Sequence, residues 1–464
     1  MKSFQFAESI PSALKILDER FGNKRHFNTT LVRDAFGILS VVLPDNVIAD
    51  EFIWNDVALQ LHEALGSYSP GDDQVLLRES DLISPTDVIE SPDRVRLPDA
   101  PNTWLVDRLQ TNQDWLRTPL VRKPPLPTAV AFSIKGGVGR TTAFALWAWH
   151  LARLGKNVIL VDLDLEAPGV AGVLLDEDYL PDYGLVDWLV EALLGPPDES
   201  LLRECLTECA LSSDEPGRIR VLPAFGKISC DYVNKLGRVY MPTFAPETGK
   251  FSGLAERLLM LLEQLTRLSD KPDAVLLDAR AGLHDIGSAA VTQLGAEVFM
   301  FARDDYQSWQ AYELLFAHLS SAQSVEWGMP EQDLRWRIKM VSAQAEPTQS
   351  AKLRFIDRSY AKWQRFYDSE PVDDQKILIN LGLSGSREED DISNNTPKIF
   401  DRNEDYAPHY PFFISFDPRI RSLNLIDSSE RPDWSIIETA FGDFFVGATT
   451  RLFPDERIYE VLLK

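Results

Sequence analysis

The sequence predicts a doubly wound, mostly parallel α/β domain preceded by a small α+β module. Three observations carry this expectation. From residue 128 onward, continuous apolar runs alternate with helical stretches, as strands buried on both faces of a parallel sheet require. The first run leads directly into a glycine-rich turn, KGGVGRTT, and then into a helix. The second run ends in two aspartates, VDLDLEAPG, so polar chemistry collects where strands end.

A chain of 464 residues has room for about two to three domains. Its apolar content of 44% supports sizeable cores and argues against global disorder. The net charge of −24 repels nucleic acid and anionic membrane. The three cysteines, Cys205, Cys209 and Cys230, form no dense framework, which points to a reducing cytoplasm. Cys205 and Cys209 lie four apart on an expected helix and read as buried structural thiols rather than metal ligands. The first residues lack a long apolar stretch, so no signal peptide is expected. No run of about 18 apolar residues occurs, so no membrane span is expected.

Residues 1–121 read as the separate module. Ser12–Phe21 has the pattern of a short amphipathic helix. Ile38–Leu43 fits either a strand or a buried helix end. Val57–Leu65 has helical spacing and is closed by Gly66. Val75–Leu77 and Val95–Leu97 fit short strands, and Trp104, Leu105, Leu109 and Trp115 suggest an apolar face. Arg20, Lys24 and Arg25 form a small basic cluster that a solvated helix end explains. Residues 122–127 (RKPPLP) are proline-rich and stiff, and mark the domain boundary.

The second region, 128–464, carries strand candidates at Ala129–Ile134, Val158–Asp162, Ile219–Pro223, Ala274–Asp278, Glu297–Ala302, Ile338–Ser342 and Phe412–Phe416. Helices are expected over Thr142–Leu154, Leu185–Leu194, Leu201–Leu211, Leu254–Leu268, Ser288–Leu294, Ser308–Leu319, Lys352–Tyr367 and Trp434–Thr449. Two stretches read as insertions. Residues 227–252 are polar and rich in Gly and Tyr, and residues 368–409 are the strongest candidate for disorder. Each is either a partner loop or a surface excursion. The final stretch, RLFPDERIYEVLLK, has an apolar face but too few cations for a membrane helix and is expected to dock on the domain.

The glycine turn is the centre of the functional reading. Gly136, Gly137 and Gly139 let successive backbone N–H groups point at one spot. The helix that follows aims its N-terminal dipole there as well. A di- or triphosphate is the natural occupant, cradled by Gly136, Gly137, Val138, Gly139, Arg140, Thr141 and Thr142. Thr141 follows a basic residue directly, the place of a Mg²⁺-ligating hydroxyl in a P-loop.

KGGVGRTT resembles the deviant Walker A loop, KGGxGK[ST], of the ParA/MinD group of P-loop NTPases. The resemblance covers most of the chain from Pro127 to the C-terminus and implies ATP and Mg²⁺ as ligands. It implies that Lys135 reaches across a nucleotide-dependent homodimer to the partner's phosphates. The family's P-loop lysine falls on Arg140, which keeps the charge but is planar and bulkier. Nucleotide binding is therefore the firmer expectation, and rapid hydrolysis the weaker one. In VDLDLEAPG the resemblance assigns Asp164 to positioning Mg²⁺ and the attacking water, with Asp162 in support. Glu166 either shares in water or metal work or forms a salt bridge. AVLLDARAG looks like the family's Walker B and switch II, with Asp278 holding Mg²⁺ and Gly282 offering its N–H to a γ-phosphate. Arg280 replaces the family's proline. It either touches phosphate or a dimer partner, or pairs with an acid. His284 has a supporting or surface role. MVSAQAEP, ending at Pro347, and FFISFDPRI, with Asp417 and Pro418, fit the family's adenine-side loops.

Three functions follow from this reading. The first is a nucleotide-switched ATPase working through a Mg²⁺-dependent sandwich dimer, with protein partners met through the N-terminal module or the insertions. The second is a nucleotide-binding regulatory or scaffold subunit with negligible hydrolysis, part of a larger assembly. The third, DNA partition, is suggested by the resemblance and opposed by the acidity.

Overall fold

An eight-stranded sheet organises the larger part of the computed structural model. The structure describes residues 6–22, 26–48, 50–91, 94–97, 100, 102–109, 111–120, 122–228, 231–245, 250–322, 334–367, 400–420, 425–427 and 431–455. The chain divides into two units, one spanning Met1–Thr118 and one taking most of the chain from Pro119.

The first unit holds β1 (Thr29–Arg33), β2 (Leu39–Leu43), β3 (Leu76–Arg78), β4 (Val95–Arg96) and β5 (Thr103–Asp107) in the order β3-β2-β1-β5-β4. Two helices, Ser9–Phe21 and Glu51–Leu65, bury Ala13, Leu17, Val57 and Leu61 against Leu31, Leu39, Val41 and Leu43. Asp50 starts the second helix by accepting the Phe52 N–H at 2.8 Å. Ile38–Leu43, open between strand and helix in the sequence, is a strand because β1 and β3 pair with β2 on either side. β1 and β5 escape the sequence reading. Each is only five residues long, and in β5 the sequence marks Trp104 and Leu105 only as part of an apolar face.

The second unit holds β6 (Thr128–Phe132), β7 (Val158–Leu163), β8 (Thr207–Glu208), β9 (Ile219–Leu222), the hairpin β10 (Thr243–Ala245) and β11 (Lys250–Ser252), β12 (Ala274–Ala279), β13 (Glu297–Ala302), β14 (Ile338–Ala345) and β15 (Phe412–Ser415). The main sheet runs β15-β14-β13-β6-β12-β7-β9-β8. Every neighbour pair is parallel except β8 with β9. β6, β7 and β12 are buried at every residue, so the sheet is covered on both faces. On one face the helix Arg140–Arg153 and the C-terminal helix Trp434–Leu452 bury Phe144, Trp147, Phe444 and Phe445 against Phe299 and Phe301. The Trp147 indole N–H donates to Thr449 Oγ1 at 3.0 Å, which removes the cost of burying it.

Four stretches differ from expectation. The helix expected over Leu201–Leu211 ends at Glu204. Thr207–Glu208 then pairs antiparallel with β9, so the unpaired edge of the sheet overrides helix propensity. Cys205 and Cys209 therefore share no helix face; both are buried, and their thiols face the carbonyls of Gly184 and Leu174. Ser288–Leu294 is not a regular helix. A short helix at Asp285–Ser288 widens into a π-turn over Ala289–Gln293. Within 227–252, the helix Tyr232–Val239 and the β10–β11 hairpin replace a structureless excursion. Within 368–409, residues 368–399 lie outside the described residues, but Phe400 and Ala407–His409 are buried. Lys339, buried on β14, donates to the carbonyls of Asp405 and Ala407 and holds that segment. Cys230, Lys24, Arg25 and residues 456–464 also lie outside the described residues. Among the described residues, no helix is long and apolar enough to cross a membrane.

His150 offers a test of the core. Its ring stacks on Trp434 at 5.9 Å and on Phe445 at 4.7 Å. Burial, with Arg153 nearby, holds its imidazole down to about 4, below the ordinary 6.5. The unfolded chain takes up a proton that the folded chain refuses, so this contribution is full above pH 6.5 and is lost as pH falls towards about 4. His150→Phe keeps the stack and removes the titration. Urea midpoints at pH 7 and pH 5 are expected to differ less in the variant than in the wild type.

Candidate active site at the carboxyl ends of the strands

The loop after β6 is shaped by backbone chemistry. Gly137 and Gly139 sit at φ of 73° and 89°, where a side chain would be strained. The Ser133 hydroxyl donates to the Lys135 carbonyl at 2.7 Å and braces the entry to the loop. The helix starts at Arg140, so its first N–H groups face the loop.

Strand register brings the carboxylates to this loop. In β12, Asp278 lies level with Ala131 of β6 and with Asp162 of β7. Thr141 Oγ1 donates to Asp278 Oδ2 at 2.5 Å. Asp278 Oδ1 is buried and has no hydrogen-bond partner. Arg140 is buried and donates to the Ala279 carbonyl. Burial pushes the Asp278 carboxyl up, opposed by the Arg140 charge and the Thr141 hydroxyl.

Asp162 is fully buried and accepts three backbone N–H groups, from Asp164, Gly169 and Val170, each at 3.0 Å. It shapes the loop after β7. Burial and the neighbouring Asp278 raise its carboxyl above the usual range. Asp164 lies just beyond the strand and accepts the Ala167 N–H at 3.2 Å. Its carboxyl is also raised by burial, against the pull of the Ala167 N–H, Arg140 and Arg280. Arg280 resolves towards acids, with Nη1 3.0 Å from Glu166 Oε2 and Nε 3.9 Å from Asp164 Oδ1.

A hydroxyl and a carboxylate with an open oxygen form a hard-ligand pair that suits Mg²⁺. Among the described residues there is no group of three or more His, Cys, Asp or Glu able to hold a metal alone. A cation at Thr141 and Asp278 would therefore complete its shell with phosphate oxygens and water, which is how Mg²⁺ sits in nucleotide sites.

No protein-family model matches the chain. Over 156 residues it is 31% identical to the septum site-determining protein MinD of Synechocystis sp., a stretch covering 33% of this chain and 45% of that protein. Over this stretch the chain is ParA/MinD-like. The chain thus spans less than half the length of this curated relative. Among solved structures, MinD of Pyrococcus horikoshii with Mg-ADP is 16% identical, at a TM-score of 0.39, with 71% of this chain and 98% of that one covered. The MinC:MinD complex of Aquifex aeolicus is 16% identical, at a TM-score of 0.36, with 71% and 96% covered.

The remaining site residues fall as follows. Lys135 donates to Gln307 and lies 3.9 Å from Asp305, within its own chain. The Gly282 N–H does not face the cradle. It donates to the Ser133 carbonyl at 2.9 Å and ties the turn after β12 to the foot of the P-loop. His284 packs beside Gly282, where an added Cβ would lie 3.1 Å from its Nε2. Phe416 N–H donates to the Ala345 carbonyl at 2.9 Å, so the two C-terminal loops adjoin.

Two residues beside the site, Tyr232 and Tyr240, were not singled out from sequence, and Gln344 entered only as part of MVSAQAEP. Gln344 donates to the Gly137 carbonyl at 3.0 Å and adopts φ of 53°. A non-glycine residue in that region is uncommon, and sequence carries no sign of φ. Tyr232 and Tyr240 come from the insertion. Tyr232 donates to the Leu165 carbonyl at 2.6 Å, and Tyr240 donates to Glu166 Oε1 at 2.5 Å. The one available signal was the tyrosine content of residues 227–252.

Asp162→Ala strands three backbone donors, one buried and two part-buried, and is expected to cost about 1–3 kcal/mol, read by urea unfolding. Asp164→Ala releases one half-buried contact and is expected to cost under about 1 kcal/mol in the same assay.

Proposed function

We propose that this chain is a nucleotide-switched P-loop ATPase that converts ATP to ADP and phosphate. The observation that carries the reading is the Thr141–Asp278 pair, with Asp278 Oδ1 open, at the base of the glycine cradle. Mg²⁺, when bound there, would neutralise the β- and γ-phosphates. The residues from Gly136 to Thr142 cradle phosphate with backbone N–H groups. Asp164 orients water for in-line attack, and the loop charges stabilise the spreading phosphoryl charge. Lys135 is one-third exposed, and its hydrogen bond to Gln307 and weak pair with Asp305 are surface contacts that it can exchange for a second copy's phosphates. That motion would join nucleotide state to dimerisation and partner binding.

Thr141→Ala is expected to weaken Mg-ATP binding at least about tenfold in calorimetry. Asp164→Ala is expected to keep binding and slow phosphate release about a hundredfold or more, trapping an ATP-dependent dimer in sedimentation. No heat from wild type with Mg-ATP would sink the binding claim. Monomers throughout would sink the dimer claim.

One observation favours a second reading, a nucleotide-sensing subunit with negligible turnover. The Arg140 guanidinium is buried and gives one of its N–H groups to the Ala279 carbonyl, which leaves fewer for phosphate. Arg140→Lys restores the flexible point charge of the family's loop. A large gain in phosphate release by this variant over an inactive wild type would favour the sensor. Steady turnover by wild type that Thr141→Ala abolishes would favour the enzyme. Binding to DNA is disfavoured by the net charge of −24.

A further inference from the structure

Arg280 stands beside the cradle, two residues after Asp278, on the turn that Gly282 pins to the Ser133 carbonyl. Its guanidinium is engaged by Glu166 and reaches Asp164. Both acids belong to the loop after β7, and Gly169 of that loop lies against the Thr141 side chain.

The insertion grips the same loop at two consecutive residues, Tyr232 at Leu165 and Tyr240 at Glu166. Tyr240 is itself fixed from behind. Arg257, with no exposed surface, donates to the carbonyls on either side of it, Val239 at 2.6 Å and Met241 at 3.2 Å, and to Leu189 at 3.2 Å. A buried cation satisfied by carbonyls of two separate segments holds those segments in fixed register. Glu166 is thus held in a fork between Tyr240 and Arg280.

We propose that Arg280 discriminates triphosphate from diphosphate, and that Tyr240 and Glu166 hold it in reserve until a γ-phosphate competes for it. This rests on the nucleotide-binding reading above and adds the residue that senses the third phosphate. A γ-phosphate offers three strong acceptors and more charge than one carboxylate, and a guanidinium matches it in a two-point grip. A diphosphate lacks that competitor, so the fork stays closed. Transfer of Arg280 to phosphate removes the cation from Glu166 and Asp164. Asp164 is then free to turn to the nucleotide, while Glu166 keeps its bond from Tyr240. Arg280 touches the substrate in this scheme; Tyr240 acts through Glu166 and is a positioning residue.

The test compares dissociation constants of the full chain for Mg-ADP and for Mg²⁺ with the non-hydrolysable β,γ-imido triphosphate. Tyr240→Phe and Glu166→Gln are expected to tighten the triphosphate about three- to tenfold and leave ADP within about twofold. Arg280→Gln is expected to lower the triphosphate-to-diphosphate preference about tenfold, with partial recovery in Arg280→Lys. In the Arg280→Gln background, Tyr240→Phe is expected to have no further effect on the ratio. Circular dichroism melting of each variant shows that it is folded, and Tyr240→Phe alone is informative if Glu166→Gln is not. Wild type that binds both nucleotides, with the same ratio in Arg280→Gln and Tyr240→Phe, overturns this proposal and leaves the nucleotide-binding reading standing. Wild type that binds neither overturns both.

Discussion

The contact between the Thr141 hydroxyl and the Asp278 carboxylate is the constraint around which the site is arranged. It joins the first turn of the P-loop helix to the end of β12, and it leaves one buried oxygen of Asp278 without a donor. Burying a carboxylate half-satisfied is costly. The fold tolerates it because β12 lies between β6 and β7, where a parallel sheet opens its crevice at the carboxyl ends of the strands. A divalent cation arriving with phosphate, as in the function proposed above, would relieve that cost.

Electrostatics divides the four acids of the site into two classes. Asp162 faces three backbone N–H groups and shapes a loop, so its charge is spent locally. Asp278, Asp164 and Glu166 face cations, Arg140 and Arg280, that are also within reach of the cradle. The arginine at position 140 matters for this balance. A planar guanidinium can serve the Ala279 carbonyl and the nearby carboxylates together, a geometry that a lysine ammonium would not reproduce.

The insertion after β9 changes how the loop after β7 is held. Its helix and hairpin are short, and such elements have little stability alone. Buried Arg257 ties the end of that helix to Leu189, and the two tyrosine hydroxyls then reach the loop beside the site. A segment that composition reads as a surface excursion is therefore part of the wall of the site.

Sequence alone determined the alternation of strands and helices, the P-loop, and the placement of Asp162, Asp164 and Asp278 at strand ends. These depend on local properties: continuous apolar runs, glycines where positive φ is needed, and carboxylates just past a buried run. Five-residue β1 and β5, the edge strand β8 and the π-turn after Ser288 were not legible, because each exists only through a neighbour that supplies its hydrogen bonds or packing. The same holds within the site. Sequence left Arg280 and Glu166 open between several roles, gave Gln344 only as part of MVSAQAEP, and marked Tyr232 and Tyr240 only through the tyrosine content of their segment. Only the tertiary structure decided that Arg280 meets Glu166, that Gly282 turns its N–H to Ser133, and that Tyr240 arrives from 74 positions away. Contacts between residues so distant in the chain are settled by sheet order and burial, and neither is written in any local stretch of residues.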